Sequence, residues 1–191
     1  MTRVVAGSYG GRRLAVPPSQ TRPTSEKVRE ALGSALNALD AITGVSVLDL
    51  YAGSGAVAIE LLSRGAERAV LVEQNKQAAG IARKNLASVD GSGEVVTSSV
   101  ISFVGAPASQ QFDVVFIDPP YDLPTADVQA VLATLATNNW LAPDAVVVVE
   151  RRHRDGAIEW PPGIRSYRNK RYGDTTLYYG LAGDAPVDSD S

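Results

Sequence analysis

The chain has 191 residues, 45% hydrophobic and 20% charged, with a formal net charge of −3, the size and composition of one folded domain with one main core rather than of a disordered chain. It contains no cysteine, which excludes disulfides, thiolate metal sites, iron–sulfur clusters and a cysteine nucleophile. No run approaches the ~20 apolar residues of a membrane span and the N-terminus carries no signal-peptide core, so the expectation is a cytoplasmic protein.

Residues 1–23 read as a basic arm. Arg3-Val4-Val5-Ala6, a turn at Gly7-Ser8-Tyr9-Gly10-Gly11 and Arg12-Arg13-Leu14-Ala15-Val16 suggest an irregular or hairpin-like extension that buries little by itself. Thr24, after Pro23, is a plausible N-cap for a helix whose apolar face is Val28, Ala31, Leu32, Ala35, Leu36 and Leu39, spaced i, i+3, i+4, i+7, i+8, i+11. Strand-like runs follow at Val45–Leu50, Ala69–Val72, Glu94–Thr97, Phe112–Ile117 and Ala145–Val149, mostly apolar without alternation, as strands covered on both faces are. Helical spacing between them (Val57, Leu61, Leu62; Ile81, Ala82, Leu86; Val128, Val131, Leu132, Leu135) makes the unit strand, helix, strand, so the fold class is α/β, open and doubly wound. After Glu150 comes a basic, proline-containing stretch, then Thr175–Leu181, a strand expected to pair antiparallel at the sheet edge. Residues 183–191 have nothing to bury and read as a disordered acidic tail.

The net charge hides a segregation. Residues 1–30 carry +4, residues 31–150 carry −8, residues 151–172 carry +5 and the last nineteen carry −4. Two basic segments flanking an acidic middle can offer a cationic surface to a polyanion if the fold brings them together.

The first buried strand ends in Asp49-Leu50-Tyr51-Ala52-Gly53-Ser54-Gly55 and a helix starts just after it. In open α/β sheets ligands bind at this turn, and two glycines let the backbone approach a ligand that a Cβ would push away. The second strand ends at Glu73, where a carboxylate can accept from both hydroxyls of a ribose. Asp49, just ahead of the glycines, suits the ammonium of an amino-acid moiety and would repel a pyrophosphate, which favours S-adenosylmethionine over a nicotinamide cofactor.

The fourth strand runs into Asp118-Pro119-Pro120-Tyr121. Two prolines fix φ and remove two N–H donors, leaving a rigid corner of acceptors and one π-face. Such a corner suits a planar base with an exocyclic NH₂: the Asp118 carboxylate and Pro119 carbonyl accept its two N–H bonds while Tyr121 stacks on the ring. Accepting those bonds favours the localised, pyramidal amine that attacks a sulfonium methyl, and orients it. No strong base is needed, because the proton becomes acidic only after the methyl has moved.

With these two motifs in order and spacing, the chain resembles the class I S-adenosylmethionine-dependent methyltransferases that act on amines. Arg3-Val4-Val5-Ala6-Gly7, Gly10-Gly11-Arg12-Arg13-Leu14, Thr21-Arg22-Pro23-Thr24 and Val28-Arg29-Glu30-Ala31-Leu32 narrow the resemblance to the RsmD-type enzymes, over roughly residues 3–181. The resemblance implies a Rossmann-like fold, a seven-stranded mostly parallel sheet in strand order 3-2-1-4-5-7-6 with helices on both faces and a small N-terminal hairpin, with the methyltransferase domain at residues 24–182. It implies methyl transfer to N2 of a guanine in 16S ribosomal RNA, within a partly or fully assembled small ribosomal subunit, and calls for no metal. Carried onto this chain, Asp49, Tyr51, Gly53, Gly55, Glu73, Gln74, Ser99 and Val100 would contact the cofactor, and Asp118, Pro119, Pro120 and Tyr121 would hold the amine. Arg3, Arg12, Arg13, Arg22, Arg168, Lys170 and Arg171 would grip RNA phosphates while one base is flipped into the corner. The sequence departs from the pattern at Val96-Thr97-Ser98-Ser99-Val100, where many relatives place Asp or Asn to accept from the adenine amine; Ser99 can accept one bond.

Three rivals remain at this point. A DNA adenine-N6 or cytosine-N4 methyltransferase shares the chemistry but usually carries a further domain for sequence readout, and residues 122–144 are too few to supply one. A NAD-dependent oxidoreductase needs a proton-transfer residue beside the substrate, and His153, the only histidine, sits in a basic run as a solvent-exposed or phosphate-facing residue. A non-catalytic RNA-binding module leaves the glycine loop and the proline corner without purpose.

Overall fold

A computed structural model describes residues 1–18 and 24–183; Arg22 and residues 184–191 lie outside the described residues. β1 (Thr2–Arg3) and β2 (Arg13–Leu14) form a small antiparallel hairpin. There follow α1 (Glu26–Ala38), β3 (Ser46–Leu50), α2 (Ala56–Ser63), β4 (Arg68–Glu73), α3 (Lys76–Ser88), β5 (Gly93–Thr97), α4 (Val100–Gly105), β6 (Phe112–Ile117), α5 (Thr125–Thr137), β7 (Leu141–Arg152), β8 (Ile164–Tyr172) and β9 (Thr175–Ala182). The seven long strands make one sheet in the order β5-β4-β3-β6-β7-β9-β8, parallel except where β9 runs against β7 and β8. Counted within the sheet, this is the expected 3-2-1-4-5-7-6.

Apolar side chains alternate between the two faces of the sheet, so each strand feeds two cores. On one face Val47, Leu71, Phe116 and Val148 pack with residues of α1, α2 and α3; on the other Leu48, Val70, Ile117 and Val149 pack with residues of α4 and α5. The arm is fastened to the first face by Val4 and Leu14, fully buried in that core, and by polar bonds. The buried Glu60 of α2 accepts from the backbone N–H groups of Val5 (2.7 Å) and Ala6 (3.1 Å) and pairs with the buried Arg29 of α1 (3.2 Å), which in turn donates to the Thr2 hydroxyl. Removing Glu60 would strand the Arg29 charge away from water, whereas Glu60 also pairs with Arg64 (2.9 Å) and would keep that partner without Arg29.

Three readings of the sequence change. Ser25, not Thr24, caps α1, its side chain accepting from the Val28 N–H. Thr175–Leu181 does not lie at the edge: β9 is flanked by β7 and β8. The strand at that edge is β8, inside the basic stretch after Glu150. Its residues are exposed from Ser166 to Arg171, so no apolar alternation marks it, and its cations are the kind that keep an open edge from pairing with another chain. The short α4 also left no periodic signal.

Candidate active site

Strand order reverses between β3 and β6, and the carboxyl ends of β3, β4, β6 and β7 meet there, the position at which doubly wound sheets take their ligands. Asp49 lies in β3, one residue from its end; Glu73 ends β4; Asp118 and Glu150 follow the paired residues Ile117 and Val149. Four carboxylates from four strands therefore converge.

The turn after β3 is built from backbone conformations that most side chains avoid. Tyr51, Gly53 and Gly55 have φ of 63°, 54° and 78°, all in the left-handed region. A Cβ on Gly55 would lie 2.7 Å from Leu71 Cδ2, so the loop can sit this close to β4 only without one. Glu73 holds the loop from the next strand: its Oε2 accepts from the Gly53 N–H (2.9 Å) and its Oε1 from the Asn75 N–H (2.7 Å). Asp49 is buried and accepts from the Ala58 N–H at the first turn of α2 (3.2 Å). Burial, with Asp118 and Glu73 nearby, pushes its carboxyl up to about 8. The residues thus fit a group with a cationic amino-acid end: a tight glycine loop in left-handed backbone, and a buried carboxyl that gains its charge when a cation arrives.

The acceptor corner adjoins it. A small cavity of about 20 Å³ is lined by Asp49, Tyr51 and Ser54 on one side and by Thr24, Phe116 and Asp118 on the other. Burial pushes the Asp118 carboxyl up to about 7, against the Thr24 hydroxyl and the Arg151 charge, which pull it down. Thr24 Oγ1 lies 3.0 Å from Asp118 Oδ2 and 3.0 Å from Glu150 Oε2. One hydroxyl hydrogen serves one of these at a time, so a proton on either carboxyl lets Thr24 bond both. Tyr121 is half-buried, with the Arg152 guanidinium over its ring at 4.8 Å and bonded to its carbonyl at 2.9 Å.

The other expected site residues are more dispersed. Gln74 is exposed beside Glu73, and Ser99 caps α4, its hydroxyl accepting from the Ser102 N–H (3.3 Å), with Val100 buried behind it. Arg3 pairs with Glu26 (3.2 Å) and Arg12 donates to the Ser88 carbonyl (2.6 Å), while Arg13 is exposed on the hairpin. Arg168, Lys170 and Arg171 are exposed on β8. The two basic segments thus stand on different elements, the hairpin against α1–α3 and β8 at the far edge of the sheet. Sequence reasoning missed Thr24 as a site residue, since it was spent on a cap, and Glu150, whose signal was available: a carboxylate at the end of an apolar strand beside the one carrying Asp118.

The fold is that of a class I methyltransferase. A solved structure, the putative methyltransferase yhhF from Escherichia coli, superposes with a TM-score of 0.85 at 31% identity over 96% of this chain and 98% of that one. The magnesium protoporphyrin IX methyltransferase of Synechocystis, solved with bound SAM, shares the fold alone, with a TM-score of 0.65 at 14% identity over 82% of this chain and 79% of that one. The chain belongs to the family described as Conserved hypothetical protein 95, which matches residues 2–180. It is 39% identical to the Ribosomal RNA small subunit methyltransferase D of Haemophilus influenzae over 87% of this chain and 91% of that one. It is 35% identical to the protein of the same name from Escherichia coli K12, over 88% and 83%.

Proposed function

We propose that this protein transfers a methyl group from S-adenosylmethionine to the exocyclic N2 amine of a guanine in 16S ribosomal RNA, with a partly or fully assembled small subunit as its substrate. The observation that carries the reading is the shared cavity between Asp49 and Asp118, which sets a cofactor loop and an amine-accepting corner side by side. The relatives named for small-subunit ribosomal RNA supply the substrate class.

S-adenosylmethionine would supply an electrophilic methyl on a sulfonium, its methyl carbon–sulfur bond breaking as the amine takes the methyl and the neutral thioether S-adenosylhomocysteine leaving. Asp49, Tyr51, the Gly53–Gly55 backbone, Glu73, Gln74, Ser99 and Val100 are the residues to hold it, with Asp49 toward an ammonium and Glu73 toward a ribose. Asp118 in its ionised form and the Pro119 carbonyl accept the two amine N–H bonds, Pro120 keeps the corner rigid, and Tyr121 offers a ring to the base. As nitrogen bonds to carbon it becomes cationic, so the Asp118 carboxylate stabilises developing charge and receives the released proton, with the Thr24 hydroxyl beside it. Arg3, Arg12, Arg13, Arg22, Arg168, Lys170 and Arg171 are assigned to RNA phosphates, Arg22 from the sequence alone.

The test is tritium transfer from labelled S-adenosylmethionine to unmodified small subunits, followed by nucleoside digestion. Label in N2-methylguanosine is expected. Label in N6-methyladenosine or N4-methylcytidine would displace guanine as the acceptor, and no label in any nucleoside would remove the ribosomal substrate.

A further inference from the structure

A second cavity, of about 410 Å³, opens on the far side of Tyr121 and is lined by Tyr121, Arg152, His153, Arg154, Arg171 and Asp174. It shares no residue but Tyr121 with the acceptor corner and none with the small cavity between Asp49 and Asp118. Beyond Glu150, β7 continues as Arg151-Arg152 and leaves the sheet in a single 3₁₀ turn, His153–Asp155. That turn is tied to the β8–β9 connection by the His153 N–H, which donates to the Asp174 carbonyl at 2.7 Å. Arg152 forms the wall toward the corner. Its guanidinium lies over the Tyr121 ring, bonds the Tyr121 carbonyl, and is held by both oxygens of Asp155 (3.1 Å each from Nε).

Asp155 is thereby committed to Arg152 and, at 3.6 Å, to Arg151. Arg154 and Arg171 have no carboxylate within ion-pair distance among the described residues, and both are exposed. With Arg152 paired to Asp155, the lining sets the guanidinium groups of Arg154 and Arg171 against one carboxylate, Asp174, in a concave site where such a field is focused. Guanidinium forks match phosphate oxygens, and an arginine or tyrosine face takes an unstacked base. The volume is that of a pocket for a whole small molecule rather than for a bare anion.

We infer that this cavity holds the nucleotide next to the target in the RNA strand, its phosphate on Arg154 and Arg171 and its base against Arg152. The inference rests on RNA being the substrate, and it deepens that reading by naming where the flanking nucleotide goes. Tyr121 then serves two nucleotides, with Arg152 holding the turn in place between them.

The experiment compares wild type, Arg154→Ala/Arg171→Ala and, as a control, Lys84→Ala, which removes an exposed charge from α3, packed on β5 at the opposite edge of the sheet. Unmodified small subunits are the substrate, methyl transfer is measured from 50 to 300 mM salt, and S-adenosylhomocysteine binding is measured by calorimetry. The double variant is expected to raise KM about tenfold at 150 mM salt and to flatten the plot of log(1/KM) against log salt by about 1.4, two single-strand phosphate contacts at ~0.7 each. Its affinity for S-adenosylhomocysteine should match wild type. A KM and a slope no further from wild type than those of Lys84→Ala would overturn the assignment. Wild type failing to methylate small subunits at all would instead overturn the substrate reading on which it rests.

Discussion

Asp49→Asn should stabilise the free protein while crippling its binding site, and the size of the effect follows from one carboxyl. Asp49 ionises at its ordinary 3.8 in the unfolded chain but is pushed up to about 8 by burial in the fold. Folding at pH 7 must therefore load a proton onto it. The cost is about 1.4 kcal/mol for each pH unit above 3.8, or roughly 4 kcal/mol at pH 7, as an upper bound. A raised carboxyl contributes its full stability below 3.8 and loses it progressively as pH climbs to about 8. Asparagine has the same shape, carries no proton to load, and can keep the bond from the Ala58 N–H now made at 3.2 Å. Urea unfolding of both proteins from pH 4.5 to 9 should show the variant ahead by a margin that is small at pH 4.5, widens by about 1.4 kcal/mol per pH unit, and levels off above 8. At pH 7 the thermal midpoint should rise by roughly 10 °C. S-adenosylhomocysteine should bind the variant about 10- to 100-fold more weakly, the value of a charge-assisted bond to its ammonium. A margin independent of pH, or a destabilised variant, would refute the raised carboxyl.

Three further outcomes are expected. In single-turnover transfer the wild-type rate should climb with pH and reach half its maximum near 7, where Asp118 ionises, and Asp118→Asn should cut the rate at least ~100-fold while leaving S-adenosylhomocysteine affinity within about threefold; a rate flat from pH 6 to 8.5 would count against it. Thr24→Val should slow transfer and move that midpoint upward, because the hydroxyl now holds Asp118 down, and Thr24→Ser should restore both; equal pH profiles for the three proteins would reduce Thr24 to packing. Gly55→Ala must accommodate a φ of 78° and a Cβ 2.7 Å from Leu71 Cδ2, so it should lose about 1–3 kcal/mol in chemical unfolding and bind the cofactor poorly; an unchanged unfolding midpoint would show that the loop has room to spare.

Much of this was legible in the chain because the signals were local. The buried strands announce themselves as unbroken apolar runs, the glycine loop as a strand, a turn and an acid on the next strand, and the amine corner as four consecutive residues whose chemistry is complete in themselves. These are properties of neighbouring residues and need no fold to be read. β8 escaped because an exposed edge strand is specified by its partner β9 and not by its own hydropathy, and α4 because six residues are too few to display a period.

What the tertiary structure decided is where distant side chains meet. Thr24 looks like a helix cap from its neighbours, yet it stands between Asp118 and Glu150, 94 and 126 residues away, since Ser25 takes the cap and frees it. Arg29 looks like one more cation of a basic arm and is instead sealed against Glu60. Nor could the unusual affinity of Asp49 and Asp118 for protons be read from residue types, since it comes from desolvation, joined at Asp49 by repulsion from Asp118 and Glu73, and these exist only once separate strands bring their ends together.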